Sequence, residues 1–153
     1  MENRELLIQQ LQDAREKMRQ VVQRADMMRE IYPHWRMKQV IDHLTGWDDA
    51  TLVSFRHHLE HGVPYTPATR GIDDYNARTV TERETLDLAH SLQEWEVTRA
   101  QLIELIRSAP QDMYETPFIF PWGSQGTIEQ IALVFIEHEE EHAKEIGEIL
   151  DRG

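Results

Sequence analysis

The chain contains no cysteine. That excludes disulfides, thiolate metal sites and a cysteine nucleophile together, so a metal site here must be built from histidine and carboxylates. Glycine and proline are scarce, at 7 and 6 residues of 153, which suits long helices joined by few turns. No apolar run approaches the roughly 20 residues that a helix needs to cross a bilayer. The start, Met1-Glu2-Asn3-Arg4-Glu5, lacks the basic-then-apolar order of a secretory signal, so the expectation is a cytoplasmic protein without membrane attachment. Basic residues are few as well: 16 Lys and Arg stand against 28 Asp and Glu, a formal net charge of −12. Nucleic acids and anionic membrane surfaces are gripped mainly by Lys and Arg, so this balance argues against both as partners.

What is present points to helices. Arg, Glu, Gln, Leu, Ala and Met are plentiful, and all favour the helix. The length suits one domain over 1–153 with a core of its own. Leu7, Leu11, Ala14, Met18, Val21, Ala25 and Met28 recur in steps of four and three, which predicts an amphipathic helix capped at Asn3 and ended by Tyr32-Pro33. A second helix is expected from near Trp35 to about His61, carrying Met37, Val40, Ile41, Leu44, Leu52, Phe55 and Leu59, before Gly62-Val63-Pro64 breaks it. A connection over about 62–84 follows, with a helical stretch around Asp73-Arg78; it is long enough for the chain to cross the bundle rather than turn straight back.

A third long helix is expected over about 86–108, with Leu88, Leu92, Trp95, Leu102 and Ile106 on its apolar stripe. Arg99 falls in that stripe, and its expected role is to pack its stem while the head reaches solvent. The stretch 109–126 reads as irregular, with aromatic residues that pack over the bundle end. Thr127 and Gln130 form a capping-box pattern that opens a last helix running to about Leu150. No strand pattern competes. The fold class is therefore all-α, a four-helix bundle with a long crossover between the second and third long helices.

His138 and His142 are the strongest functional signal. Four residues apart, they share one face of the last helix, in line with Ile128, Ile131, Phe135 and Ile149. A buried polar group without a partner costs about 1–3 kcal/mol, and a metal ion would satisfy both rings at once. The spacing itself says little, since eight histidines give roughly 0.4 such pairs by chance. A second pair, His57 and His61, lies off the apolar side near a helix end and reads as a solvated cluster. Setting separates the two pairs.

A catalytic site usually has three protein ligands. The third could come from His43, His57, His58, His90 or a carboxylate, and periodicity does not choose: His43 sits at the edge of the second helix's apolar side, whereas His58 is nearer its middle. A di-iron carboxylate site is disfavoured, because it needs two Glu-x-x-His pairs and the chain has one, Glu139-x-x-His142. Glu139, Glu140 and Glu141 read mainly as a solvated face, with room for one of them to orient a ligand histidine.

The run from Trp35 to Asp48 (Trp-Arg-Met-Lys-Gln-Val-Ile-Asp-His-Leu-Thr-Gly-Trp-Asp), the late His138-x-x-x-His142 and the connector Ile72-Asp73-Asp74-Tyr75-Asn76-Ala77-Arg78 together resemble the DinB-like superfamily over nearly the whole chain. The resemblance implies a divalent metal held by His43, His138 and His142, a four-helix bundle with the long crossover, and frequent homodimers. It also implies kinship with the metal-binding domain of thiol-dependent isomerases and with bacterial thiol S-transferases, which use mycothiol, bacillithiol or glutathione. Some of those enzymes carry an extra domain, for which this chain leaves no room.

The expected function is thus a metal-dependent hydrolase or low-molecular-weight-thiol S-transferase acting on a small molecule, with Zn²⁺ or Ni²⁺ as the ion. Trp47, Tyr75 and Asn76 are candidates for the pocket wall, with packing and turn formation as competing roles. The alternative is a non-catalytic small-molecule-binding or dimeric interaction protein without bound metal.

Overall fold

The apolar stripe of the N-terminal segment forms helix α1, Glu2–Arg24, in a computed structural model that describes residues 2–152. The single domain expected over 1–153 extends by Met1 and Gly153 beyond the described residues. Leu7, Leu11, Ala14, Met18 and Val21 are buried as their spacing predicts. Two expectations fail here. Asn3 lies inside α1 rather than capping it, and the helix stops at Arg24, leaving Met28 69% exposed. The Asp26 carboxylate accepts from the Met28 N–H at 2.9 Å and turns the chain. A small antiparallel hairpin follows, β1 Glu30–Tyr32 and β2 Trp35–Arg36, reversing at Pro33 and His34.

Helix α2, Met37–Leu59, is buried on every side between Val40 and Asp48. The crossover contains helix α3, Ile72–Glu82, and leads to α4, Leu88–Ser108. The Asp87 carboxylate caps α4 by accepting from the His90 N–H at 2.9 Å. Helix α3 lies against α2, where the Tyr75 hydroxyl donates to the Gly46 carbonyl at 2.8 Å. A side chain at Gly46 would overlap Thr79 of α3. The stretch expected to be irregular holds the short helix α5, Gln111–Glu115, and a second hairpin, β3 Phe118–Ile119 with β4 Gln125–Gly126. Both hairpins have strands of two or three residues, too short to show an alternating pattern.

The capping box is realised at the start of α6, Ile128–Asp151: Thr127 Oγ1 accepts from the Gln130 N–H at 3.2 Å, and Gln130 Oε1 accepts from the Thr127 N–H at 2.9 Å. Helices α1, α2, α4 and α6 form the four-helix bundle, with α2 packed chiefly on α4 and α1 chiefly on α6. Among the described residues, no helix is long and apolar enough to cross a membrane.

Two apolar clusters fill the bundle, one around Leu11, Phe55, Ile106 and Ile131, the other around Met18, Ile41, Trp95 and Ile146. Between them lies a layer of buried charge with one residue from each long helix: Arg15, Asp48, Arg99 and Glu139. Arg15 bonds Asp48 and Glu139, each at 3.0 Å, while Arg99 bonds Asp48 at 3.0 Å and Glu139 at 3.1 Å. Two cations meet two anions, so the layer is neutral, and the spare guanidinium donors reach the Trp95 and Leu11 carbonyls. Arg99 therefore does not reach solvent, and Glu139 is 1% exposed rather than part of a solvated face.

Candidate metal centre

Helix α2 supplies His43 and α6 supplies His138 and His142, and one nitrogen from each ring lies within 4.8 Å of the other two. Among the described residues this is the one cluster of His, Asp or Glu side chains so arranged. The ring centroids are 5.2 Å apart for His43 and His138, 5.5 Å for His43 and His142, and 4.4 Å for the α6 pair. His43 is 3% exposed. Its Nδ1 is buried without a hydrogen-bond partner.

The hairpin missed by sequence reasoning completes the site. Tyr32 Oη lies 2.7 Å from His142 Nδ1 and donates to Glu145 Oε1 at 2.8 Å. A phenol has one proton and a carboxylate only accepts, so Tyr32 gives its proton to Glu145 and accepts from His142 Nδ1–H. That assigns the tautomer: His142 Nε2 carries a lone pair, and it faces His138 Nε2 at 2.9 Å. Trp35 of β2 covers His43, with ring centroids 5.2 Å apart.

All three rings are held neutral. Burial, reinforced by the neighbouring His138 and His142 and opposed by Asn76, lowers His43 to about 3. Burial and then His138 lower His142 to about 4, against the opposing pull of Glu145 and Glu139. His138 is also lowered by burial, although the carboxylates of Glu139, Glu141, Asp48 and Glu145 pull the other way. Neutral imidazoles whose ring nitrogens converge are the donor set that a borderline divalent ion takes. The residues therefore fit the group.

His43 and His138 line a cavity of about 360 Å³, walled by Trp47, Trp122 and Phe135 and bordered by Asn76. Of the three pocket-wall candidates, Trp47 and Asn76 line this cavity, and the Trp47 indole donates to Asn76 Oδ1 at 2.7 Å. Tyr75 does not line the cavity; it packs behind Trp47 with centroids 4.6 Å apart. The other candidate ligands lie elsewhere. His57 Nδ1 is 2.6 Å from the Val63 carbonyl, His58 stacks on Phe55 and Phe118, and His90 pairs with Asp87. Glu139 makes no bond to a ligand histidine, because the Arg15 and Arg99 guanidiniums occupy it. Burial pushes its acidity down, but Arg99 and Arg15 outweigh that and hold its pKa below the usual carboxylate value.

Three histidines from two helices of a bundle with a long crossover define a recognisable class. The chain belongs to the DinB superfamily, whose family model matches residues 10–146. Among solved structures, YfiT from Bacillus subtilis, described as a probable metal-dependent hydrolase with an unusual four-helix bundle topology, aligns with a TM-score of 0.73 at 22% identity, covering 99% of this chain and 87% of that one. The mycothiol-dependent maleylpyruvate isomerase aligns with a TM-score of 0.75 at 13% identity, covering 94% of this chain and 60% of its own. Both likenesses concern the fold. No curated protein matches the chain.

Proposed function

We propose that this protein is a metal-dependent enzyme acting on a small molecule, with His43, His138 and His142 as ligands to Zn²⁺ or Ni²⁺. The convergence of three imidazole nitrogens within 4.8 Å carries the reading. Such an ion supplies Lewis acidity and a means of making water or a thiol nucleophilic near neutral pH. The chain's own residues do the rest. Tyr32 and Glu145 hold the His142 tautomer, Trp35 shields His43, and Trp47, Trp122 and Phe135 give the adjoining cavity an apolar wall.

Hydrolysis is the first form of the reaction, in keeping with the description of YfiT. Thiol S-transfer is the second, supported by the mycothiol dependence of an isomerase whose fold this chain shares over 94% of its length.

The test is metal content. Tag-free protein, as purified and after incubation with Zn²⁺ or Ni²⁺, is expected to hold near-stoichiometric metal by mass spectrometry, and His138→Ala to lose it. Absence of metal in the parent protein under both conditions overturns the reading in favour of a non-catalytic binding protein.

A further inference from the structure

The cavity beside the three histidines has walls of one chemical character. Beyond His43 and His138 it is lined by Trp47, Trp122, Phe135, Ile72, Val134 and Asn76, with no Lys, Arg, Asp or Glu. Apart from an ion held at the histidines, a ligand carboxylate or phosphate lying along this wall meets no cation, and a charge held against apolar groups without a partner is disfavoured. The surroundings deepen that preference: the Glu145 carboxylate lies 3.8 Å from His142, and the chain as a whole carries −12. A polyhydroxylated ligand fares no better, since apart from the histidines and two indole N–H groups the wall offers one amide.

That amide is itself oriented. The Trp47 indole can only donate, so Asn76 presents Oδ1 to it. The Asn76 NH₂ is then a donor that this wall offers to a bound oxygen. At about 360 Å³ the space is at the small end for a ligand pocket, which typically spans roughly 300–1,000 Å³.

We infer that this site takes an uncharged, largely apolar small molecule: a flat ring bearing a carbonyl group, such as an aryl ester or amide. The ring lies among Trp47, Trp122 and Phe135, and the carbonyl oxygen accepts from Asn76 at the histidine end. The inference rests on the proposed metal site, which borders the cavity through His43 and His138. It favours a neutral carbonyl compound over a thiol bearing free carboxylates or many hydroxyls as the molecule held against this wall.

Binding tests it without turnover. Trp47 and Trp122 line the cavity, so tryptophan fluorescence reports occupancy by four probes: benzamide (uncharged), benzoate (anionic), benzylamine (cationic) and glutathione. Each is titrated into the full chain as purified and after chelation. In chelated protein benzamide is expected to bind at least about tenfold more tightly than the three charged probes. Val134→Lys, at a wall position 52% exposed and so able to carry a cation without disturbing the core, is expected to shift the preference towards benzoate.

Equal or tighter binding of benzoate, benzylamine or glutathione to chelated protein overturns the inference, as does absence of benzamide binding. Because the chelated arm needs no ion, failure of the metal reading leaves this result readable. Loss of the wall preference in turn leaves the metal measurement untouched.

Discussion

Tyr32 and His142 are joined by a 2.7 Å hydrogen bond from a two-stranded hairpin to the last helix, across 110 residues of sequence. Because the same hydroxyl donates to Glu145, the bond has a direction, and it fixes which imidazole nitrogen is free. Removal of such a partner typically costs 10–100-fold in metal affinity. Tyr32→Phe keeps the ring that stands edge-on to His142 and removes the oxygen alone. It is expected to weaken metal binding by about 10–100-fold, read by competition with a chromophoric chelator, while the urea midpoint changes little. An unchanged affinity would show that the bond has no positioning role.

The buried layer of Arg15, Asp48, Arg99 and Glu139 predicts a different kind of loss. Glu139→Gln leaves two buried guanidiniums facing one buried carboxylate, Asp48, with the part-exposed Glu96 3.3 Å from Arg15, and breaking a buried pair from one side typically costs about 3–5 kcal/mol. Urea denaturation measures this. A cost below about 1 kcal/mol, the range of exposed pairs, would contradict the burial described above.

Metal-free protein is expected to lose stability as the pH falls from about 6.5. Folding lowers His43 to about 3 and His142 to about 4 from an ordinary value of 6.5. Between these limits the unfolded chain binds more protons than the folded one, so the contribution is complete above 6.5 and is lost progressively below it. The depressed Glu139 carboxyl adds a further loss at more acid pH. Urea midpoints of chelated protein from pH 8 to 4.5 give the profile. The double variant His43→Gln/His142→Gln is expected to flatten it between 6.5 and 4.5.

Gly46→Ala is expected to destabilise the protein by about 1–3 kcal/mol, as overpacking does, because the added methyl overlaps Thr79. Helix α3 must then move away, taking Asn76 from the Trp47 indole. Adding Thr79→Gly opens space at the overlap and should recover part of the loss. Thermal melts of the single and double variants decide it, and additive effects would rule out the contact as the cause.

The four long helices and the crossover were legible because each buries a regular stripe, and Thr127 with Gln130 marks a helix start by local hydrogen bonding alone. The convergence of His43 with His138 and His142 was legible through family resemblance rather than periodicity. Helix α2 is buried all round near His43, so no face of it stands out. On α6 the centre of the buried face runs through Phe135, Glu139 and Ala143, which places His138 and His142 at its edge, half-buried. Charged residues at stripe positions are normally read as solvated. Arg99 and Glu139 break that expectation because their partners arrive from two other helices, which no local pattern records. Tyr32 and Trp35 were missed for a related reason: strands of two and three residues carry no period.

The pairing of α2 with α4 and of α1 with α6 gives the histidine cluster a further property. His43 belongs to one helix pair, and His138 and His142 to the other. Two of the three inter-ring distances therefore span the seam between halves, while the third is internal to α6. A small slide or splay along that seam changes the first two and spares the last, so the cluster works as a gauge of how the halves are registered. Metal retention would then report mechanical closure of the bundle, even for substitutions far from any histidine.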